Sequence, residues 1–282
     1  MTPTTAAGMR AALEARIVSQ AAAGGLDANR LRRRLVFQRV VRRLASDDRW
    51  VLKGGYLLEA RLARARTTRD LDLASAEARD LHGLTTTLEE LLTRDPDGDF
   101  FRFRVTQARA IGGAAGDQSG WRFSLTVSVD ERVFDRVRVD IVERVEETTG
   151  GTEVVELPSP VTGLAFAAAS IVAVDVAQHA AEKFHALCRT YGGDRPSTRA
   201  KDLVDVVLLA EVGLLPDERL GDRLRAVFAS RGGAVPPTTL PEPPASWDGD
   251  YRVLVAELEV AASDVGAAMV VANDVYRRAL AP

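Results

Sequence analysis

Two aspartates separated by one residue, Asp70 and Asp72, are the side chains of this sequence best placed to do chemistry. Leu71 and Leu73 alternate with them, which is typical of a half-buried strand. Residues two apart on a strand point to the same face, so the two carboxylates lie close together and repel each other unless a cation is bound. A pair of divalent metal ions would satisfy both carboxylates and activate phosphoryl transfer. The pattern therefore predicts a site for Mg²⁺, or for Mn²⁺, that also holds an NTP.

A lysine and two glycines precede this pair. Lys53, Gly54 and Gly55 follow an apolar run that predicts a strand at 50–53, and a helical pattern begins at Tyr56. Backbone N–H groups at such a turn can approach a phosphate closely, because glycine has no Cβ and the helix N-terminus is positive. The chain contains 34 arginines but three lysines, which suggests that each lysine is used where a compact ammonium is needed. We expect Lys53, Gly54 and Gly55 to bind phosphate.

Asp140 is the best candidate for a third metal-binding carboxylate. It interrupts the apolar run from Val137 to Val142, where an unpaired charge would be costly. The alternative is an ion pair with Arg138, which lies on the same face of the same strand.

A second group of charged residues occurs in the C-terminal half. Asp202 and Asp205 are three residues apart and therefore share a helix face. A lysine at 183 could neutralise charge on the leaving pyrophosphate. The alternative is a set of surface ion pairs, and the other cations of the group are Arg189, Arg199 and Lys201.

The elements that must position these residues predict an α+β fold. The first half, 1–150, alternates helical and strand-like patterns, with a hairpin turn at Asp130 and Glu131. A polar segment at 146–160 predicts a linker. The second half, 151–282, is mainly helical, with Asp175 as a helix N-cap. The predicted helices are 5–24, 28–46, 56–62, 84–92, 175–189, 199–212, 216–230, 250–262 and 264–280; the predicted strands are 50–53, 69–73, 100–108, 121–129 and 133–142.

Composition limits the possible partners. The net charge of −3 argues against a uniformly basic, nucleic-acid-binding surface. An arginine-rich helix at 30–43 is either the solvated side of an amphipathic helix or a local RNA-binding surface. The single cysteine, Cys188, excludes an intrachain disulfide and fits a reducing cytoplasm. No apolar run approaches the length that spans a bilayer, so we expect no membrane partner.

Four motifs in this order resemble the AbiEii-type nucleotidyltransferase toxins, which include the MenT toxins of mycobacteria. The motifs are Leu52-Lys53-Gly54-Gly55, Arg66-Thr67-Thr68-Arg69-Asp70-Leu71-Asp72-Leu73, Glu182-Lys183-Phe184-His185-Ala186-Leu187 and Arg199-Ala200-Lys201-Asp202-Leu203-Val204-Asp205. The resemblance covers roughly residues 30–210.

This resemblance implies a polymerase-β-like nucleotidyltransferase core with a mixed sheet, a mainly helical C-terminal lobe and a bilobed shape. It also implies a cognate antitoxin and an RNA acceptor, namely the 3′ end of tRNA. By the resemblance, Asp70 and Asp72 hold metal, Lys183 contacts the triphosphate and either Asp202 or Asp205 completes the site. Arg69, Arg189 and Lys201 are further candidates for binding the nucleotide.

Two other functions remain open at this level. The acceptor could be a protein hydroxyl or a small molecule, with the same chemistry. The chain could also be a nucleotide-binding module without catalysis, although the retention of Asp70, Asp72 and Asp140 speaks against that.

Overall fold

The computed structural model describes residues 3–62, 64–78, 80–111, 120–143, 149–189 and 199–281. Most of the glycine-rich loop expected at 112–120 and the first residues of the expected linker lie outside this part of the chain. By the density of backbone contacts the chain divides into two compact units. One comprises Met1–Ala60, Thr67–Arg144 and Glu153–Ala173; the other comprises Arg61–Arg66, Val145–Thr152 and Val174–Pro282.

The first unit is built on a seven-stranded mixed sheet. The α+β class expected from the sequence is confirmed, and so is the cap at Asp27, which accepts the Arg30 N–H at 2.7 Å. Its elements are α1 (Ala6–Gly24), α2 (Ala28–Leu44), β1 (Trp50–Lys53), α3 (Gly54–Arg61), β2 (Asp70–Ser75), α4 (Leu81–Thr93), β3 (Arg102–Ile111), β4 (Gly120–Val129), β5 (Arg132–Glu143), β6 (Thr152–Leu157) and β7 (Ala169–Val174).

The strand order in this sheet is β3-β4-β5-β2-β1-β7-β6. β1 runs antiparallel to β2, and β2 runs parallel to β5. Helices α1 and α2 contact β4 and β5. Phe123, Leu125 and Val127 of β4 are buried, whereas the residues between them are half-exposed. The sheet therefore has one apolar face and one polar face, as the alternation in the sequence predicts.

Two strands were missed in the sequence. Residues 152–157 form β6, although the segment 146–160 was expected to be a linker. β7 joins the sheet by pairing Ala173 with Leu52 of β1 in a parallel register. The division of the structure thus assigns 153–173 to the sheet unit, whereas the boundary predicted at residue 150 assigned them to the helical half.

The second unit is helical. Asp175 caps its first helix by accepting the Gln178 N–H at 2.7 Å, as predicted. Its helices are α5 (Val176–Cys188), α6 (Ala200–Glu211), α7 (Asp217–Ser230), α8 (Trp247–Val255) and α9 (Val265–Leu280). Helix α5 packs against α6 and α7, and α9 packs against the same two helices. Across the described residues, no helix combines the length and the hydrophobicity that a bilayer crossing requires.

The interpretation of the arginine-rich helix needs correction at two of its seven arginines. Arg39 and Arg43 of α2 are 0% and 1% exposed, so they are core residues rather than a solvated or RNA-binding face. Arg43 holds Asp99 through two hydrogen bonds of 2.8 and 2.9 Å, and Arg39 holds Asp97 at 2.6 Å. The remaining arginines of α2 are partly exposed and paired with carboxylates as well. The loop before β3 thus neutralises one side of this helix.

This buried pairing gives a stability prediction. We expect Asp99→Ala to lower the free energy of unfolding by about 3–5 kcal/mol, since it leaves a buried guanidinium without its main partner. Asp222→Ala, an exposed position on α7, should change it by less than about 0.5 kcal/mol. Urea unfolding followed by circular dichroism measures both. A loss below about 1 kcal/mol for Asp99→Ala would contradict the structural role of the pair.

Candidate active site

The three candidate metal-binding aspartates are brought to one face of the sheet by strand register. Asp72 of β2 lies directly opposite Asp140 of β5, and Lys53 of β1 lies opposite Asp72 on the other side. Arg122 of β4 is opposite Asp140 in turn. One row across four strands therefore reads Lys53, Asp72, Asp140 and Arg122, with two negative charges between two positive ones. Asp70 lies two residues from Asp72, and hence on the same face.

The turn between β1 and α3 fits against one of these carboxylates. Gly54 has a φ of +68°, a conformation in which a side chain is strained. A Cβ at Gly54 would lie 1.9 Å from Oδ2 of Asp72, so only glycine allows this approach. The Gly55 N–H points to the same Oδ2 at 3.4 Å. In this structure the glycines therefore position Asp72, and their binding to phosphate stays a prediction.

Arginines from the neighbouring strands hold the other two carboxylates. Arg122 donates to Asp140 at 2.7 and 2.5 Å, and Arg138 donates to Asp70 at 2.5 Å. The hydrogen bond to Asp140 raises the pKa of the Arg122 guanidinium, as do the nearby charges of Asp140 and Asp70. The alternative in which Arg138 pairs with Asp140 is thus wrong. Arg138 pairs with Asp70 of β2, and Asp140 pairs with Arg122 of β4.

Arg122 was missed in the sequence. Its position in the alternating segment at 121–129 signals a polar face. Its partner could not be identified without the register between β4 and β5.

The chemistry of these donors suits a hard divalent cation. Three carboxylates occupy adjacent positions on two paired strands, and Mg²⁺ prefers such oxygen ligands. Within the described residues, however, no three acidic, histidine or cysteine side chains converge on a common point. Arg122 and Arg138 instead provide the positive charge, so a metal ion would have to compete with them for Asp140 and Asp70.

A buried glutamate holds the loop that leads into β2. Glu59 of α3 accepts the Thr68 N–H at 2.6 Å and contacts Arg30 and Arg34. Burial raises the pKa of this carboxyl, and the Thr68 N–H and the two arginines oppose that rise. The Thr68 hydroxyl donates to the Asp70 carbonyl at 3.2 Å, which fixes the start of β2.

The predicted charged cluster of the helical unit is present and largely buried. The Lys183 ammonium on α5 lies 2.9 Å from Asp202 and 2.8 Å from Asp205 on α6. Arg66 binds both oxygens of Asp205 at 2.8 Å, and Arg199 reaches Asp202 at 3.2 Å. Lys183 is 9% exposed, and Asp205 is fully buried. These are therefore not surface ion pairs, and their catalytic role stays a prediction.

The cluster shifts the ionisation of its members. Burial alone would raise the pKa of Asp202, but the charges of Lys183 and Arg199 lower it to about 2. Burial alone would lower the pKa of Lys183, but Asp202 and Asp205 raise it. Asp202 and Lys183 are therefore charged at neutral pH.

The remaining predicted residues are more exposed than Lys183 and Asp205. Lys53 is half-exposed in the row of charges, and Arg69 is exposed just before β2. In the helical unit, Arg189 is half-exposed at the end of α5 and Lys201 is exposed on α6. Binding of the nucleotide by any of them stays a prediction.

The depressed pKa of Asp202 predicts acid sensitivity. Because the folded value lies below the ordinary value of 3.8, the stabilisation is complete above pH of about 4. It is lost as the pH falls towards about 2, on the order of 2 kcal/mol in all. Asp202→Asn should be less stable than the wild type at pH 6, and the difference should shrink below pH of about 4. Urea unfolding from pH 2 to 7 measures this, and a difference independent of pH would contradict it.

Comparison with known proteins identifies the family of the chain. The structure is similar to MenT4, a nucleotidyltransferase toxin of Mycobacterium tuberculosis, with a TM-score of 0.50 and 19% identity, covering 97% of this chain and 99% of that chain. JHP933 of Helicobacter pylori gives a TM-score of 0.45 and 16% identity, covering 87% and 89%. A search of curated proteins finds no match. The family model for the nucleotidyl transferase AbiEii toxin of type IV toxin–antitoxin systems matches residues 36–275. The chain therefore belongs to the AbiEii family of nucleotidyltransferase toxins.

Proposed function

We propose that this chain transfers a nucleoside monophosphate from an NTP to an RNA acceptor, the 3′ end of a tRNA, in a reaction that depends on Mg²⁺ or Mn²⁺. The observation that carries the proposal is the row of charges in the sheet unit. Asp72 and Asp140 are adjacent across two strands, Asp70 shares their face, and Gly54 and Gly55 lie against Asp72.

In this proposal the metal is held by Asp70, Asp72 and Asp140. A bound divalent ion supplies charge neutralisation at the phosphates and activates the attacking hydroxyl. Gly54 permits the approach of the backbone to Asp72, and the Gly55 N–H orients that carboxylate. Lys53, Arg122 and Arg138 surround the carboxylates with positive charge, which attracts a triphosphate.

In the buried cluster of the helical unit, Asp202 and Lys183 contribute charges that do not depend on pH near neutrality. Asp202 and Asp205 fix the direction of the Lys183 ammonium, because each accepts from it at less than 3 Å. In the proposed reaction Lys183 stabilises the charge on the leaving pyrophosphate, and a fixed cation needs no reorganisation to do so.

RNA is the proposed acceptor because the resemblance to AbiEii-type toxins implies it, and the same resemblance implies an antitoxin that neutralises the activity. Each of the other acceptors, a protein or a small molecule, gives a different labelled product. The same experiment therefore separates them.

Transfer can be tested with NTPs labelled at the α-phosphate, total RNA and cell protein. We expect label to appear in an RNA the size of tRNA, with release of pyrophosphate, and to disappear when a chelator is added. Asp72→Asn should lower the rate by roughly 10²-fold or more, since a metal contributes several kcal/mol of transition-state stabilisation. Asp248→Asn, an exposed position on α8, is the matched control and should keep full activity.

The other outcomes are equally definite. Label in protein would replace the RNA acceptor by a hydroxyl of a protein side chain. Absence of label from every fraction, with NTP still bound, would favour a nucleotide-binding module. Full activity of Asp72→Asn would exclude the proposed metal site.

A second prediction concerns Lys183. Lys183→Arg should reduce the turnover number at least about 10-fold, since the larger planar group cannot take the place of a compact ammonium between two buried carboxylates. The turnover number at saturating NTP and the melting temperature should be measured together. Asp248→Asn, the exposed position on α8, is again the control and should keep the wild-type turnover number. An active Lys183→Arg variant would remove Lys183 from the mechanism, and a large loss of melting temperature would assign it a structural role.

A further inference from the structure

Arginines cover the polar face of the sheet beyond the three carboxylates. We call these residues the arginine face; they lie on the three consecutive strands β3, β4 and β5. Its members are Arg102, Arg104, Arg109, Arg122, Arg136 and Arg138.

Strand register places all six on the same side. Arg109 is opposite Arg122, which is opposite Asp140, so the charged row of the active site continues to the edge strand. In the next rows, Arg104 and Arg136 lie on either side of Thr126, and Arg102 is opposite Ser128. The register shift near Thr106 places Arg102 and Arg104 on the same side of the sheet as Arg109, although their spacing along β3 is odd.

Four of these arginines lack an acidic partner. Among the described residues, no carboxylate pairs with Arg102, Arg104, Arg109 or Arg136, and all four are exposed. The arginines of α2 differ, because each contacts a carboxylate. Arg109 lies directly opposite Arg122, whose charge Asp140 already neutralises, so Asp140 is not shared with Arg109. The face therefore has positive charge available for an anionic ligand.

We propose that the arginine face binds the phosphate backbone of the acceptor RNA and leads its 3′ end to the carboxylates. This inference rests on the proposed function. The face extends about 10 Å across the strands from Asp140 and about 20 Å along β3, by ordinary sheet spacing. That area accommodates several phosphates of a polyanion, whereas one NTP would occupy the end near the carboxylates.

The arginine face is suited to bind the phosphates of an RNA rather than its bases. In the described part of β3, β4 and β5, Phe103, Trp121 and Phe123 fall in the alternate register, on the opposite side of the sheet. The fourth aromatic residue, Phe134 of β5, is buried and packs against Phe101. Base stacking, the usual source of affinity for unpaired bases, is therefore missing from this surface. The expected binding is weakly dependent on sequence and strongly dependent on salt.

The test uses the full chain and a fluorescein-labelled RNA hairpin with a single-stranded 3′ end. The variant R102Q/R104Q/R136Q removes three charges that lie away from the carboxylates. Fluorescence anisotropy at several salt concentrations gives the dissociation constant and its salt slope. We expect the variant to bind about 10-fold more weakly at low salt, and the slope of log K against log salt to fall in magnitude by about 2, since each phosphate contact to a single strand contributes about 0.7.

The control is R225Q/R252Q/R277Q, which removes three exposed arginines from α7, α8 and α9. It has the same net charge as the test variant, so a non-specific charge effect would weaken both equally. We expect the control to bind the hairpin within about twofold of the wild type, because these arginines lie outside the proposed contact. Melting temperatures of both variants show that the fold is intact.

Each outcome decides a separate point. An unchanged slope in the test variant, or an equal loss in the control, overturns the assignment of the arginine face. Weaker binding of an acidic partner protein with unchanged binding of RNA also overturns it. If the wild type transfers label to RNA but the test variant binds RNA normally, the arginine face is not the RNA-binding surface, and the proposed function stands. If the slope falls as expected but no NTP labels RNA, the surface stands and the proposed function fails.

Discussion

The repulsion between Asp72 and Asp140 is the constraint on which the rest of the candidate site depends. The parallel register of β2 and β5 places these carboxylates side by side, and Asp70 adds a third negative charge to the same face. Such a group is stable only with positive charge close by. The sheet provides that charge from both sides, with Lys53 on β1 and Arg122 on β4. The strand order therefore places positive charge next to the carboxylates and also packs the sheet.

Much of this site could be predicted, because its signals are local. A spacing of two places Asp70 and Asp72 on one face of any strand, and paired glycines after a short apolar run mark a turn. The same local alternation identifies β4 and β5. The predicted bounds of β2, β4 and β5 therefore agree with the structure to within a few residues at their ends.

The rest depends on contacts between distant parts of the chain. The burial of Arg39 and Arg43 requires Asp97 and Asp99, which lie more than fifty residues away and have no periodic relation to α2. The pairing of β7 with β1 joins Ala173 to Leu52 across most of the first unit. Neither hydrophobic period nor residue preference encodes such a partner. An arginine-rich helix consequently resembles a binding surface in the sequence, although its charges are neutralised in the fold.

The position of β3 at the edge of the sheet has a consequence for solubility. A free edge exposes unpaired backbone groups that can pair with the edge of another molecule, and proteins commonly prevent this with charged side chains and irregular strands. β3 has both, with exposed arginines along its length and a register shift near its middle. Mutual repulsion between two such edges would oppose their pairing. A bound polyanion would screen that repulsion, so an excess of nucleic acid could bring copies of this toxin together edge to edge.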